Sequence, residues 1–253
     1  MTSSPSPRVP QPSPSFDRCA ARYDELRPVD ERWWESYDAI VRAGDLRGKR
    51  VLEVGCGTGR LAQALTERAQ ARVWAVDVSA EMAARAKALG VNARVARAEA
   101  LPFKPGWFDA AVMRMVAHLV DRPRAFAEAA RVLAPDGVLV VATENPASFD
   151  EVWFARFFPS VPELERARFP SEETLRGELA VAGFADVRVE QLEQGRTISR
   201  EHALDIIGSK AYSTFELLSP GEYAAGLARA KGELPDQLSY KFEWLLVAAR
   251  RVG

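Results

Sequence analysis

A buried strand that runs directly into three alternating glycines constrains the fold of this chain more than any other feature. The sequence VLEVGCGTGR covers residues 51–60, and a helical pattern follows it. Glycine accepts positive φ and lets a ligand approach the backbone closely, and the next helix offers free N–H groups at its start. The G-x-G-x-G spacing differs from the G-x-G-x-x-G of dinucleotide sites. We therefore predict a small-molecule site of another kind, with a tight turn that binds nothing as the alternative.

Two acidic residues accompany the loop. Glu53 lies two residues before the first glycine, where a negative charge would be unfavourable beside a pyrophosphate and favourable beside an ammonium group. Asp77 ends the second predicted strand, and a carboxylate there can accept hydrogen bonds from two ribose hydroxyls. Capping the following helix is the alternative role for Asp77, although Ser79 already suits that role.

Strands and helices alternate along the chain. Strand patterns cover residues 50–54, 72–78, 93–97, 108–114, 138–143, 187–192 and 242–249, and helical patterns cover 16–44, 60–68, 79–90, 121–133, 171–183, 200–207 and 220–231. The alternation predicts an α/β fold in which a parallel sheet carries helices on both faces. A Pro-Asp-Gly turn at 135–137 precedes the fifth strand.

We predict one domain over residues 16–253, preceded by a disordered tail over residues 1–15 with five prolines and five serines. Residues 145–169 and 195–235 are interpreted as lid or substrate-cap insertions in this domain. Aromatic residues in the first insertion either line a substrate pocket or form the core of the lid. These residues are Trp153, Phe154, Phe157 and Phe158.

The composition argues against several classes of function. The balance of 34 basic and 35 acidic residues gives no reason to expect nucleic acid or an anionic membrane as a partner. No apolar run approaches the roughly 20 residues of a membrane span, and the N-terminus lacks the pattern of a secretory signal. Two cysteines, Cys19 and Cys56, and two histidines lack the spacing of a disulfide framework or a metal site. We expect a cytoplasmic protein, monomeric or homodimeric.

The glycine loop and several later motifs resemble the class I S-adenosylmethionine-dependent methyltransferases. Residues 51–60 and Asp77 match the cofactor motifs of that class. The runs AEALPF at 98–103, WFD at 107–109 and RVLAPDG at 131–137 are similar to the type 11 subgroup, which includes quinone-biosynthesis enzymes. The resemblance implies a Rossmann-like seven-stranded sheet, mostly parallel with its last strand antiparallel. It also implies S-adenosyl-L-methionine as cofactor and a small molecule as methyl acceptor.

The resemblance further implies which residues bind the cofactor. Its methionine end would meet the glycine loop and Glu53, its ribose would meet Asp77, and its adenine would meet Met82. Tyr23 resembles the N-terminal aromatic residue that closes over the cofactor in this subgroup, with packing of the first helix as the alternative. Arg97 stands where the family often has an acid, which leaves a side-chain contact to the adenine amino group open. The full set of implied cofactor-binding residues is Tyr23, Glu53, Gly55, Cys56, Gly57, Gly59, Asp77, Val78, Met82, Ala98, Glu99 and Arg114.

His118 is the candidate catalytic residue, because it follows the fourth strand, in the region that faces the methyl group in proteins of this fold. An imidazole with a pKa near ~6.5 suits removal of a proton from an acceptor hydroxyl. The alternatives are packing against the cofactor or capping the next helix. Arg114, on the fourth strand, is assigned either to a substrate carboxylate or to an acid inside the protein.

Methyl transfer to a hydroxyl of an aromatic or apolar metabolite is the function that these patterns favour. The aromatic residues of the predicted lid favour the apolar acceptor, and the histidine favours the hydroxyl. Two alternatives stay open. One is a protein that binds the cofactor without turnover, and the other is a nucleotide-dependent oxidoreductase, which the glycine spacing and Glu53 disfavour.

Overall fold

The structure is a computed structural model that describes residues 23–253. The predicted tail, Cys19 and the first part of the helix predicted over 16–44 lie outside the described residues. The described residues form a seven-stranded sheet. Its strands are β1 (Arg50–Val54), β2 (Arg72–Asp77), β3 (Asn92–Val95), β4 (Phe108–Arg114), β5 (Leu133–Glu144), β6 (Phe184–Ser199) and β7 (Gln237–Arg251).

Several helices begin at a side chain that caps their N-terminus. Asp30, Ser79, Asp121 and Ser171 each accept a hydrogen bond from the backbone N–H three residues later. Among residues 23–253, none of the helices has both the length and the apolar character that crossing a bilayer requires. The helices are α1 (Tyr23–Leu26), α2 (Glu31–Gly44), α3 (Arg60–Arg68), α4 (Ala80–Ala88), α5 (Arg122–Val132), α6 (Val161–Arg168), α7 (Glu172–Val181), α8 (Arg200–Gly208) and α9 (Pro220–Glu233), with short 3-10 helices at Pro146–Ser148 and Ser213–Glu216.

The strand order is β3-β2-β1-β4-β5-β7-β6. The first five strands are parallel to their neighbours, whereas β7 runs antiparallel to both β5 and β6. The mostly parallel sheet with an antiparallel last strand, expected from the sequence, is confirmed. The order changes direction at β1 and β4, so a crevice forms beyond the carboxyl ends of these two strands.

Two hydrophobic cores cover the two faces of the sheet. Val51 points to one face, where Ile40 of α2 and Leu65 of α3 pack against it. Leu52 points to the other face, where Phe126 of α5 and Leu175 of α7 complete the core. Successive residues of a strand alternate between faces, which explains why β1 is apolar at nearly every position and is buried on both sides.

The single helix predicted over 16–44 is wrong for its described part. Helix α1 ends at Leu26 and α2 begins at Glu31. Pro28 lies between them, where its ring and missing N–H oppose a continuous helix. Asp30 then starts α2 by accepting a hydrogen bond of 2.9 Å from the Trp33 N–H. The break leaves α1 free to lie over the glycine loop, while α2 packs against the sheet.

Strands β6 and β7 are much longer than the patterns at 187–192 and 242–249 predict. They pair with each other from Phe184 opposite Arg251 to Ser199 opposite Gln237. Strand β5 stops pairing at Glu144, opposite Trp244. The two long strands therefore continue as an antiparallel ribbon past the edge of the sheet. The short patterns reflect only the part that is covered by the main cores.

A separate hydrophobic cluster lies around this ribbon, and we call it the cap cluster. It combines the segment after β5 with α8, the 3-10 helix Ser213–Glu216 and α9. The aromatic residues predicted as pocket lining or lid core are all buried inside it, and none lines the cleft described below. Its buried members are Leu26, Trp153, Phe154, Phe157, Phe158, Val161, Ala203, Ile206, Ile207, Ala211, Phe215, Leu218, Ala230 and Leu234.

Candidate active site

A cleft lies beyond the carboxyl ends of β1, β2 and β4, which is where ligands bind in sheets of this kind. Within residues 23–253, no three His, Cys, Asp or Glu side chains are grouped so as to hold a metal ion. Eight of the predicted site residues line the cleft: Tyr23, Gly55, Gly57, Asp77, Val78, Met82, Ala98 and Arg114. Sequence reasoning did not single out the other seven: Val54, Val76, Ala96, Met115, Val116, Leu119 and Val120.

The three glycines of the loop have positive φ but meet different surroundings. A Cβ at Gly55 would lie 2.0 Å from Cγ2 of Val116, and one at Gly59 would lie 2.7 Å from Cβ of Ala86. These two glycines therefore allow close packing within the protein. Gly57 has φ +53 and nothing within 4 Å of the same position, and it lines the cleft. It is the glycine whose missing side chain leaves space for a ligand.

Asp77 ends β2 at the rim of the cleft and is nearly buried. Its Oδ2 accepts a hydrogen bond of 2.8 Å from the Gly57 N–H, and its Oδ1 accepts one of 2.9 Å from the Ser79 N–H. Both backbone bonds fix the carboxylate between the glycine loop and the start of α4. The carboxylate is thereby held among the residues that line the cleft. Ser79 itself caps α4 through the Met82 N–H.

Glu53 lies on β1 beneath the glycine loop and is 3% exposed. Burial raises its pKa to about 8, and the nearby Arg114 partly offsets this effect. The backbone N–H of Ala62 also stabilises the carboxylate. The Oε2 atom is buried and has no hydrogen-bond partner in the protein. A buried acceptor without a partner is costly, so this atom marks a position where a donor is missing.

Arg114 ends β4 inside the cleft. Its guanidinium lies between the rings of Trp244 and Trp33, at 5.0 and 5.7 Å from their centroids. It also donates a long hydrogen bond of 3.5 Å to Ser36 Oγ. Burial lowers the pKa of Arg114, and the Tyr23 hydroxyl and the Glu53 carboxylate oppose this effect. Arg114 therefore lies within electrostatic range of an internal acid, Glu53, and its contact with a substrate carboxylate stays a prediction.

Helix α1 is held against the glycine loop by polar contacts. Asp24 Oδ1 accepts a hydrogen bond of 2.8 Å from Thr58 Oγ1 and lies 3.1 Å from Nε of Arg60. This position brings Tyr23 into the lining of the cleft. The guanidinium of Arg27 stacks on the Tyr23 ring, 4.2 Å from its centroid. The N-terminal helix therefore forms one wall of the cleft.

Four predicted cofactor-binding residues do not line the cleft, namely Glu53, Cys56, Gly59 and Glu99. Glu99 accepts a hydrogen bond of 2.9 Å from the Asp121 N–H and lies 3.4 Å from Nε of Arg97. The Glu99 side chain therefore binds the backbone at the start of α5 and does not face the cleft. Burial raises the pKa of the Cys56 thiol, which keeps it protonated and unsuited to act as a nucleophile.

The turn after β4 supplies the lining residues that sequence reasoning missed. Met115 has φ 56, a rare value for a residue other than glycine. The turn directs Met115 and Val116 into the cleft, and Leu119 and Val120 follow. The only sequence signal for these lining residues is that several apolar residues directly follow a parallel strand.

His118 lies behind this turn and does not line the cleft. Its ring stacks on Phe169, with 3.9 Å between the centroids and 13° between the planes. Burial lowers the pKa of His118 well below its usual value, and the positive charges of Arg168, Arg27 and Arg122 add to this effect. The Nδ1 atom is buried without a hydrogen-bond partner. At neutral pH the imidazole is uncharged and is a weak base.

Comparison with known proteins agrees with this geometry. Residues 52–141 match the family described as a methyltransferase domain. The chain is 37% identical over 187 residues to a malonyl-[acyl-carrier protein] O-methyltransferase of Geobacter sulfurreducens, covering 69% of this chain and 70% of that protein. It is 35% identical over 213 residues to a demethylmenaquinone methyltransferase of Thermus thermophilus, covering 71% and 95%. A Thermotoga maritima structure described as a methyltransferase, possibly acting on histamine, superposes with a TM-score of 0.56 at 25% identity, covering 93% of this chain and 97% of that one.

The fold and the cleft, with these similarities, define an enzyme of the class I methyltransferases that use S-adenosylmethionine. The chain belongs to the type 11 family of that class. The expected enzyme class and cofactor are thereby confirmed. The nucleotide-dependent oxidoreductase considered from the sequence is excluded by this family membership.

Proposed function

We propose that the cleft binds S-adenosylmethionine with its amino group at Glu53, and that the methyl group passes to a small molecule held beneath the cap cluster. The observation that carries the cofactor orientation is the unpartnered Oε2 of Glu53. An ammonium group is a charged donor that would satisfy this atom and stabilise the ionised carboxylate. Arg114, already beside Glu53, is the other charged group at this end of the cleft.

The remaining cofactor contacts follow from the lining of the cleft. The open space at Gly57 suits close approach of the methionine moiety to the backbone. Asp77 is a carboxylate in the lining of the cleft at the end of β2, a position that suits hydrogen bonds from two ribose hydroxyls. Met82 and Ala98 offer apolar surface to the adenine ring, and Tyr23 covers the site from α1. Arg97 has a largely exposed side chain and carries no carboxylate that could accept a hydrogen bond from the adenine amino group.

When bound, S-adenosylmethionine supplies a methyl group on a sulfonium, which is already activated for substitution. The chain therefore has to align the acceptor with this methyl group and keep water away. The apolar turn after β4 and the cap cluster suit exclusion of water. Alignment alone can lower the activation free energy of methyl transfer by several kcal/mol.

The target group that we propose is a hydroxyl, with His118 as the residue that takes its proton. The support is an uncharged imidazole whose buried Nδ1 has no partner. The expectation of an aromatic or apolar acceptor rested on aromatic side chains that pack inside the cap cluster instead. The hydroxyl therefore remains the proposed target group. The buried aromatic residues give no support for an apolar acceptor.

A carboxylate is the second candidate for the methyl acceptor. A carboxylate is already ionised at neutral pH and needs no base, which agrees with the depressed pKa of His118. The Geobacter relative is named as an O-methyltransferase acting on a malonyl group. The two candidates give chemically different products, an ether and an ester.

We infer a cytoplasmic enzyme that acts on a small metabolite as a monomer or a homodimer. The support is the balanced charge, with a formal net value of −1, which provides no general attraction for nucleic acid or anionic lipid. Size-exclusion chromatography with light scattering measures the oligomeric state. An electrophoretic shift with duplex DNA or RNA at physiological salt would contradict a purely small-molecule substrate.

Binding and turnover measured on the same sample test the proposal. Calorimetry should give micromolar binding of S-adenosylhomocysteine and none of NAD. Incubation with trideuteromethyl S-adenosylmethionine and 4-hydroxybenzoate, which carries both target groups, should give a labelled product by mass spectrometry. Mild base cleaves a methyl ester and leaves an ether intact, which separates the two acceptors. Cofactor binding without labelled product from any hydroxyl or carboxylate in a wider acceptor panel would instead support a binding protein without turnover.

A further inference from the structure

Two opposite charges lie on the same face of the sheet, at the end of the cleft next to the glycine loop. Glu53 of β1 is opposite Val112 of β4, and Arg114 lies two residues further along β4. Alternate residues of a strand share a face, so Glu53 and Arg114 project to the same side. The two charges attract each other, yet Oε2 of Glu53 has no hydrogen-bond partner. They are therefore neighbours that do not pair through this atom.

Arg114 keeps accessible nitrogen atoms although it lies deep in the protein. It lines the cleft, and within residues 23–253 its one hydrogen bond is the long bond of 3.5 Å from Nη2 to Ser36 Oγ. None of the buried, unpartnered side-chain atoms in residues 23–253 belongs to Arg114, so Nε and Nη1 retain accessible surface. A guanidinium presents its N–H donors in a planar fork that matches a carboxylate. Arg114 can therefore bind a carboxylate that enters the cleft.

Two indole rings hold the guanidinium of Arg114. The ring centroids of Trp244 and Trp33 lie 5.0 and 5.7 Å from its central carbon, at distances that allow cation–π attraction. Both rings are buried, with 2% and 9% of their surface exposed. Buried side chains are close-packed and have little room to turn. The orientation of the guanidinium therefore depends on the orientation of the two rings.

Gln194 fixes the ring of Trp244. Its Oε1 accepts a hydrogen bond of 2.9 Å from Trp244 Nε1. Its Nε2 donates two bonds of 2.8 Å to α2, one to the Arg32 carbonyl and one to Glu35 Oε2. An indole N–H can only donate, so the amide oxygen has to face Trp244. Gln194 is itself buried on β6, and it thereby ties β6, β7 and α2 together behind Arg114.

We propose that Arg114 binds the carboxylate of the methionine moiety, and that Gln194 positions its guanidinium through Trp244. The amino group and the carboxylate of an amino acid are attached to one carbon, so they can meet two neighbouring opposite charges, Glu53 and Arg114. This proposal rests on the proposed binding of S-adenosylmethionine with its amino group at Glu53. It adds the residue that binds the carboxylate and a residue that holds this group in place.

Three ligands that differ at the amino-acid end test the carboxylate contact. They are S-adenosylmethionine, its decarboxylated form, which keeps the amine, and methylthioadenosine, which lacks the amino-acid portion. By calorimetry, wild-type protein should bind S-adenosylmethionine at least about tenfold more tightly than the decarboxylated form. Arg114→Met should reduce this preference to threefold or less, with affinity for methylthioadenosine unchanged within twofold. Equal affinities in wild type, or an unchanged preference in the folded variant, would overturn the proposal.

Gln194→Leu tests the positioning role, because it removes the bond to Trp244 with little change in volume. Affinity for S-adenosylmethionine should fall about fivefold, and affinity for the decarboxylated form should stay within twofold. Trp244→Phe removes the same bond and should act alike, and the double variant should show no further loss. Additive losses would show that Gln194 does not act through Trp244. Gln191→Leu, exposed on the same strand, is the matched control and should bind as wild type.

Circular dichroism and binding of methylthioadenosine show whether each variant keeps its fold and its cleft. If Gln194→Leu does not fold, Trp244→Phe alone tests the bond between them. An unchanged preference for the carboxylate in folded Trp244→Phe would contradict the positioning role. Failure of the wild-type protein to bind any of the three ligands would instead refute the proposed function itself.

Discussion

At the scale of single residues, two features at the glycine loop point to a ligand, namely a buried acceptor without a partner and a space without protein atoms. The Oε2 atom of Glu53 has no partner, and the space beside Gly57 is empty of protein atoms. Gly55 and Gly59 serve a different purpose, because neighbouring side chains fill the space that a Cβ would need. One motif thus contains a ligand contact and two packing positions.

Gly57→Val should abolish binding of S-adenosylhomocysteine while the protein still folds. The added side chain would project into the cleft, and its positive φ would add strain of about 1–2 kcal/mol. Calorimetry measures the affinity, and circular dichroism measures the fold. Gly48→Val is the control, since Gly48 also has positive φ and open space but lies outside the cleft. Unchanged affinity in folded Gly57→Val would mean that the loop is only a turn.

His118→Ala should lower turnover of a hydroxyl acceptor by roughly 10²–10⁴-fold if His118 is the base. Because burial holds its pKa well below the usual value, the wild-type rate should keep its plateau down to a pH below ~6.5 and fall only in more acidic solution. This acidic limb should be absent in the variant. Its matched control is His202→Ala, which removes the other histidine, on α8.

A carboxylate acceptor would give the opposite result for His118. The variant would then keep most of its turnover, and alignment would be the main source of catalysis. The base-stability of the methylated product should agree with this outcome. Retained turnover together with a methyl ether product would contradict the base role outright.

The residues of the glycine motif could be predicted from the sequence because their chemistry is local. Gly57, Asp77 and Ser79 lie within one strand–helix–strand–helix unit, and Asp77 accepts a hydrogen bond from each of the other two. His118 differs, because its ring stacks on Phe169, and burial together with the charge of Arg168 lowers its pKa. Both of these residues are distant in sequence. No pattern in the sequence reports such a contact.

At the scale of secondary-structure elements, α1 contacts the glycine loop and contributes Tyr23 to the lining of the cleft. It is a short helix, and its polar contacts to the loop come mainly from Asp24, through Thr58 and Arg60. A partly exposed ion pair contributes about 0.2–1 kcal/mol, and a hydrogen bond contributes about 0.5–1.5 kcal/mol. The polar attachment of α1 to the loop through Asp24 is therefore modest in free energy.

Asp24→Ala should accelerate dissociation of S-adenosylhomocysteine by about fivefold, which corresponds to about 1 kcal/mol. The reason is that loss of both contacts frees α1 and Tyr23 from the loop. Stopped-flow measurement of the dissociation rate tests this. Asp38→Ala, an exposed acid on α2, should leave the rate unchanged. The same rate in both variants would show that α1 does not retain the cofactor.

Element positions were predictable where propensity and tertiary burial agree. Strand β4 and helix α3 have the bounds that their patterns indicate. Strands β6 and β7 continue beyond their apolar patterns because each supplies the other with backbone partners along the ribbon. Backbone pairing leaves little mark on the side-chain pattern, so their full length could not be read from the sequence.

At the scale of the whole molecule, buried ionisable groups lie between the sheet and the cap cluster. Burial raises the pKa of Glu144 to about 8, above the value near 4.5 of an exposed glutamate. The folded state therefore binds this proton more tightly than the unfolded chain does. The resulting stability is full below pH ~4.5 and is lost as the pH rises through about 8.

Glu144→Gln should make the free energy of unfolding depend less on pH between 5 and 8, because glutamine cannot ionise. We expect the decrease over this range to be smaller than in wild type by about 1 kcal/mol or more. Urea unfolding at both pH values measures it. The control Glu163→Gln, exposed on α6, should behave as wild type. An unchanged slope for Glu144→Gln would show that its carboxyl group does not titrate in this range.

A crystal structure of the complex with S-adenosylhomocysteine tests the central claim most directly. The account predicts that the amino group of the ligand lies within ~3.2 Å of a Glu53 carboxylate oxygen. It also predicts that the ribose hydroxyls bind Asp77 and that the adenine packs on Met82. A ligand bound elsewhere, or one bound in this cleft with its amino group directed away from Glu53, would contradict the account.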